Sequence, residues 1–356
     1  MTRILNNREI TEILSMDQCI DALSSAYLDF SFGVAVTRRR SDTLVPSGES
    51  VYGLKTMDGI APGLGVGAVR INSDIVTWPK VGDSYRRVKV PAAPGSRYTG
   101  LILLFSTETG EPLAIMPDGV IQRMRVGATS ALGTHHLAKK DSKTAAVIGS
   151  GWQAGAQLMG LLAVRPELDT IRVFSPNRRN VKSFCGEWGG QLRQELCSVG
   201  SVAEAAKGAD IVLCATSSID PVFEAKHFEK GMHVGSIKPP EISRSSLDLA
   251  DKVCVHLGQG KPALVQADNL AVPDHSGDRG WKISDAFDFS SCTTLPDLIS
   301  GATNGRTNAD ERTCFVNDLG LGLQFAVVAG VTLQLAESAG IGQVLPTELF
   351  TQIEHP

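Results

Sequence analysis

One stretch constrains the fold of this 356-residue chain more than any other: TAAVIGSGWQAGAQLMGLLAVRPELDTIRVFSPN, residues 144–177. It opens on the apolar run Ala145-Ala146-Val147-Ile148, the pattern of a strand buried on both faces. The run stops at Gly149-Ser150-Gly151-Trp152-Gln153-Ala154. Apolar residues at helical spacing follow (Ala156, Leu158, Met159, Leu161, Leu162, Val164), then Pro166 and a second strand from Thr170 to Ser175. Strand, glycine turn, helix and strand within about 30 residues make one βαβ unit. Gly149 permits the tight turn, Gly151 lets the backbone approach a pyrophosphate, and Ala154 replaces the third glycine where helix packs on strand. A lone G-x-G-x-x-G carries little weight; between two strands it predicts a dinucleotide site formed by Gly149, Ser150, Gly151, Trp152, Gln153 and Ala154.

The remaining composition excludes several other classes. The length suggests about two domains, and 42% hydrophobic with 20% charged residues is enough for a large core. A net charge of −4 without a long basic run argues against a nucleic-acid partner. No apolar stretch approaches the ~20 residues that span a bilayer. The N-terminal MTRILNNREITEIL is charged where a signal peptide is apolar. The seven cysteines are scattered and never spaced C-x-x-C, which suggests free thiols and no metal site. The expectation is a cytoplasmic protein without membrane partners.

Along the chain, Ser15 and Gln18 form a capping box for an amphipathic helix over residues 16 to about 30. From Val34 to Pro117 short β-like runs are expected: Val66–Ile71, Asp74–Trp78 and Thr99–Phe105, then Pro112–Met116. Between the second and third lies a polar loop, residues 82–97, a surface excursion with the makings of a lid. Asp118 is expected to cap a helix running to Lys140. Beyond the βαβ unit, strands and helices alternate through Ile211–Ala215, Met232–Ile237 and Lys252–His256, which predicts an α/β fold with a doubly wound, mostly parallel sheet. From Cys314 a segment apolar nearly all round reads as a buried helix. His135, His136 and His233 have no spaced partners and read as structural.

NAD-selective folds usually end the second strand on an acid that binds the ribose 2′-hydroxyl. Here that strand runs into Ser175-Pro176-Asn177-Arg178-Arg179. Ser175 and Asn177 offer hydrogen bonds and Arg178 or Arg179 a partner for a 2′-phosphate, so NADP(H) is favoured over NAD(H). Thr216 and Ser217 follow the strand Ile211–Ala215, Ser236 lies near the end of Met232–Ile237, and all three join the cofactor-binding candidates.

The segments VIQRMRVGATSA (residues 120–131), HHLAKKDSKTAAVIGSGWQA and GADIVLCAT together resemble the ornithine cyclodeaminase/μ-crystallin family. The likeness runs from about Val34 to the end. It implies a Rossmann domain over residues 126–315. An α+β substrate and dimerisation domain is implied over residues 1–125, completed by 316–356, in a homodimer. It also implies chemistry on small amino or imino acids. Arg125, in Arg125-Val126-Gly127-Ala128, matches the arginine that binds the substrate carboxylate, a role suited to a planar guanidinium. Arg40 matches a second such arginine, with Arg38 as rival. Arg70 stands where the family carries a catalytic lysine; arginine stays protonated and cannot exchange the proton, so Lys55, on the preceding segment, is the candidate titratable amine. Cyclodeaminases carry an aspartate where this chain has Ile237, beside Lys238, a further candidate for substrate contact. The resemblance therefore implies an NAD(P)H-dependent imino-acid or ketimine reductase or amino-acid dehydrogenase. A cyclodeaminase, or a non-catalytic crystallin-like binding protein, is the alternative.

Overall fold

The protein is represented by a computed structural model that describes residues 1–81, 84–85, 87–218, 220–258, 263–270 and 287–354. Among these, the chain divides into two compact units. Unit 1 takes residues 1–125, 263–270 and 320–354; unit 2 takes residues 126–258 and 287–319. The helix Asp118–Leu137 is divided between them after Arg125.

Unit 2 is the doubly wound unit. Its described strands pair only in parallel, in the order Leu196–Ser198, Thr170–Phe174, Thr144–Ile148, Ile211–Cys214, His233–Ser236, Thr313–Val316, Lys252–Val255, Thr293–Thr294. Ile211–Cys214 and His233–Ser236 are buried along their whole length, and Thr144–Ile148 is buried from Ala145 on, as strands covered on both faces are. The chain order reverses between Thr144–Ile148 and Ile211–Cys214, and crevices at such switch points bind ligands. Gly149 turns the chain there with φ 127°; a Cβ on it would lie 2.1 Å from the Ala215 carbonyl oxygen. Ala154 is fully buried, as expected of the small third residue, but the closest helix contact belongs to Gly155, where a Cβ would lie 2.0 Å from the Trp188 ring. Cys314 falls in the strand Thr313–Val316, and the last helix is shorter than expected, Gly322–Ala339.

Unit 1 is a mixed sheet. Its main path runs Ala263–Gln266, Ser41–Ser47, Ser50–Ala61, Val66–Thr77, Thr99–Ser106, Pro112–Pro117, Thr2–Ile4, Gln343–Leu345. Ala263–Gln266 lies within the range expected for the dinucleotide domain, yet it pairs in parallel with Ser41–Ser47. The two runs expected between Val66 and Trp78 are one twelve-residue strand, Val66–Thr77, with strict buried/half-buried alternation. The stretch expected as a loop contains the strand Val88–Val90, paired antiparallel with that long strand; Gly82, Asp83 and Arg86 lie outside the described residues.

The helix Gly322–Ala339 is buried from Gly322 to Gly330 because it packs on this sheet and against the helix Met16–Ser31, whose Ser15/Gln18 capping box is present. Two glycines seat its first turn. A Cβ at Gly59 would lie 2.2 Å from the Leu323 backbone nitrogen, and one at Gly322 would lie 2.0 Å from the Asp58 carbonyl carbon. Neither obstacle is a flexible side-chain tip, so the helix must lift. We expect Gly59→Ala to lower unfolding stability by about 1–3 kcal/mol, the range for overpacking, measured by denaturant titration; an unchanged midpoint would contradict the close seating.

Candidate active site

The inner face of the unit 1 sheet changes character along its strands. On the Val66–Thr77 strand the buried positions read Val66, Ala68, Arg70, Asn72, Asp74, Val76. On Ser50–Ala61 the matching row includes Lys55 and Met57, and on Ser41–Ser47 it includes Asp42. Asp42, Lys55 and Asn72 sit directly opposite one another across three strands. Charged side chains thus occupy positions where strand alternation puts core residues, at a desolvation cost that packing alone would not select.

These side chains hold one another. Lys55 Nζ lies 2.6 Å from Asp74 Oδ1, and Lys89 Nζ lies 2.7 Å from Asp74 Oδ2. Lys89 also donates to Asn72 Oδ1 at 3.2 Å, and Asn72 donates to the Thr99 carbonyl at 3.0 Å. Arg40 pairs with fully buried Asp42 at 2.7 Å, whereas Arg38 pairs with Asp58 and is exposed. Arg40, not Arg38, therefore reaches the buried row. Lys55 is only 4% exposed, so it is no surface lysine. Burial first, then Arg87 nearby, pulls its amine down to about 7 against the opposing pull of Asp74. Asp74 is held below the usual carboxylate range because Lys55 and Lys89 outweigh its burial.

Arg70 and Arg125 form the other part of this face, both buried. Arg70 Nε and Nη2 donate to Asp118 Oδ2 at 2.8 and 2.6 Å. Asp118 was expected to cap its helix; instead its carboxylate turns to Arg70, and Val120 N–H donates to Asn7 Oδ1 at that helix's start. Gly100 makes room, since a Cβ there would lie 2.2 Å from Asp118 Oδ1. Arg125 Nη1 donates to Gln324 Oε1 at 2.9 Å. The Phe325 ring lies 5.3 Å from the Arg70 guanidinium carbon and 5.1 Å from that of Arg125, within cation–π range. Burial, then Arg70, lowers the Arg125 pKa, though the group stays charged at neutral pH. Asp74, Asp118, Gln324 and Phe325 were missed in the sequence, although Gln324 and Phe325 open the last helix.

In unit 2 the polar groups collect at the carboxyl ends of the parallel strands. Gly151 N-caps the helix Trp152–Val164 without a side-chain cap, so the first N–H groups are not satisfied by a capping side chain. Ser150 and Gln153 are half-buried, and Trp152 is exposed. Asn177 caps the next helix, accepting from the Arg179 and Asn180 N–H groups, and Arg178 is exposed in its first turn. Ser175 is half-buried and Ser217 exposed. Ser236 Oγ and Asn317 Nδ2, both buried at strand ends, have no hydrogen-bond partner among the described residues. A glycine cradle, a helix start without a side-chain cap and the orphaned Ser236 and Asn317 atoms fit a dinucleotide.

Glu241, fully buried, organises that edge. It accepts from Thr216 N–H at 2.6 Å, Thr216 Oγ1 at 2.8 Å and Ile237 N–H at 3.1 Å. Lys238 Nζ donates to the Ser218 carbonyl at 2.5 Å, so its amine helps hold the loop after Cys214. Burial raises the Glu241 pKa against those donors and Lys238. Its signal in the sequence was its place four residues beyond Ile237. His233 is buried against Thr313 Oγ1 at 2.9 Å. Among the described residues there is no group of His, Cys, Asp and Glu that could hold a metal, and no helix is long and apolar enough to cross a membrane.

A model described as the ornithine cyclodeaminase/mu-crystallin family matches residues 86–338. The chain belongs to this family. It is 26% identical over 343 residues to a Delta(1)-pyrroline-2-carboxylate reductase of Bacillus cereus, covering 96% of this chain and 98% of that one. It is also 26% identical over 355 residues to the alanine dehydrogenase of Archaeoglobus fulgidus, covering 96% and 97%. The structure of Thermococcus litoralis Delta(1)-pyrroline-2-carboxylate reductase in complex with NADH and L-proline superposes with a TM-score of 0.77 at 25% identity, covering 96% of this chain and all of that one. These relatives are reductases and a dehydrogenase.

The depressed pKa of Lys55 has a thermodynamic consequence. Between about 7 and the ~10.4 of an unfolded lysine, the unfolded chain keeps a proton that the folded one has released. Stability therefore rises with pH through that window, by at most about 1.4 kcal/mol per unit from this group, and that gain disappears as pH falls through about 7. We expect Lys55→Met to flatten the rise, measured by urea unfolding at several pH values. A wild-type rise that survives the substitution would refute the assignment.

Proposed function

We propose that this protein is an NAD(P)H-dependent oxidoreductase that reduces the carbon–nitrogen double bond of a small 2-imino acid or cyclic ketimine, or runs the reverse amino-acid oxidation. The observation that supports it most is one buried face of unit 1 carrying a guanidinium suited to a carboxylate, Arg125, together with an amine brought near neutrality, Lys55. In this reading Arg125, with Arg40, grips the α-carboxylate and fixes the plane of the imine. Arg70, locked by Asp118, supplies fixed positive charge near the reacting nitrogen. Lys55 delivers the proton that the nitrogen takes as the carbon is reduced, and Asp74 orients it.

The nicotinamide cofactor, when bound, supplies the hydride. The residues that would hold it are Gly149, Ser150, Gly151, Trp152, Gln153 and Ala154, with Ser175, Asn177, Arg178, Thr216, Ser217 and Ser236. NADP(H) is the inferred preference, because no acid ends the strand Thr170–Phe174 and Arg178 is exposed beside it. Lys238 remains a candidate for ligand contact through the loop it holds. We infer a homodimer in the cytoplasm as the setting. A cyclodeaminase is less favoured, since Ile237 supplies no carboxylate and Glu241 is sealed by three donors.

The test is NADPH and NADH oxidation, followed by nicotinamide absorbance, against cyclic imino acids and against 2-oxo acids with ammonia or methylamine. Turnover is expected, faster with NADPH. Arg125→Ala is expected to cut kcat/KM by at least about 30-fold, the lower end for removing a buried charged partner. Ammonia release from ornithine or lysine without reduction of any imine would establish the cyclodeaminase instead. Tight NADPH binding without turnover would establish a binding protein.

A further inference from the structure

The buried Gln324 side chain accepts two donors on one oxygen. Its Oε1 takes Arg125 Nη1 at 2.9 Å and the Leu321 N–H at 3.0 Å. Neither a guanidinium nor a backbone N–H can accept, so the amide is fixed with its oxygen towards both. Leu321 is the N-cap of the helix Gly322–Ala339 and Gln324 is that helix's third residue, the place from which a Glu or Gln commonly reaches back to the N-cap N–H. The same stretch completes the seat of the guanidinium. The Phe325 ring lies 5.1 Å from the Arg125 guanidinium carbon. A Cβ at Gly320 would lie 2.9 Å from Arg125 Nη2, 3.1 Å from Nη1 and 3.3 Å from the guanidinium carbon. Arg125 therefore rests against backbone that glycine leaves bare.

Stability alone favours an acid at position 324. Glutamate accepts the N-cap N–H as well as glutamine does, and its charge suits the positive end of a helix. Beside a buried guanidinium it would also form a charge-assisted pair. The chain carries the neutral amide instead. That amide gives Arg125 the directional hold of an acceptor and adds no negative charge beside it. A carboxylate in the same place would compete with a ligand carboxylate for the guanidinium.

We propose that Gln324 is a positioning residue for the substrate: it orients Arg125 as a neutral acceptor, with Gly320 and Phe325 bounding the guanidinium, so that the charge of Arg125 is directed at a carboxylate. The proposal rests on the reading of Arg125 as the carboxylate-binding group, but positioning is a binding property and is tested as one.

The experiment is calorimetric titration of the full-length protein, with excess oxidised NADP or NAD, alongside urea unfolding of each variant. The probes are pyrrole-2-carboxylate, a cyclic carboxylate, and pyruvate, an open-chain one, each compared with its primary amide. Wild type is expected to bind at least one carboxylate at least about tenfold more tightly than its amide, the lower range for a hydrogen bond to a charged group. Gln324→Glu is expected to keep or raise the unfolding midpoint and to bring that ratio towards one. Gly320→Ala, which displaces the guanidinium and adds no charge, is expected to lower the same ratio. A ratio that Gln324→Glu leaves unchanged overturns the proposal, because a side chain that only caps the helix is replaced by Glu without effect on ligands. Wild-type affinity for neither carboxylate overturns it as well. If Gln324→Glu does not fold, Gly320→Ala decides, and an unchanged ratio there overturns the proposal. A carboxylate preference lost in Gln324→Glu, without turnover of any imine, leaves the positioning role standing and removes the reductase reading; imine turnover with the ratio unmoved by Gln324→Glu does the reverse.

Discussion

Positive charge buried on a sheet face is the constraint on which unit 1 depends. An unpaired buried charge costs several kcal/mol even after relaxation, and this face buries several. The structure meets the cost with a chain of counter-ions: Asp42 for Arg40, Asp74 for Lys55 and Lys89, Asp118 for Arg70. Well-packed apolar residues of similar volume would be as stable or more so. In the proposed function the arrangement is preorganisation: donors already desolvated and aimed before an anionic ligand arrives lose little to reorganisation when it binds.

The same cost explains why Lys55 and Arg70 differ in chemistry while sharing a face. A lysine can shed its proton, and burial beside Arg87 moves that event to about 7. An arginine cannot, so Arg70 is a fixed charge whatever the pH. In the proposed function two jobs fall to neighbouring strands, constant polarisation at Arg70 and proton exchange at Lys55. Met57, opposite Arg70 across the same ladder on which Lys55 faces Asn72, marks how short that separation is.

How much was legible in the sequence follows from how locally each feature is encoded. The βαβ unit declared itself, because an apolar strand, the glycine turn after it and the helix and strand that follow need no distant partner to be recognised. The long strand Val66–Thr77 was read as two because Arg70, Asn72 and Asp74 occupy its inner face, where alternation leads one to expect apolar residues. The strand Thr313–Val316 merged into the last helix for the opposite reason: both are apolar throughout, and periodicity cannot separate them. Asp74 and Asp118 were invisible as counter-ions because their partners lie 19 and 48 residues away. Glu241 was noticed only as a neighbour of Ile237, since its bonds to Thr216 exist only once parallel strands lie side by side.

The central claim is that Lys55 is an amine made titratable near neutrality by burial among cations. Its most direct test is a carbon-detected NMR titration of the full-length protein labelled at the lysine ε-carbons, with the Lys55 signal assigned by its loss in Lys55→Met. The account predicts a midpoint near 7, well separated from the other lysines. A midpoint near ~10.4, the value of a solvated lysine, would contradict it and leave the face a static ion-pair network.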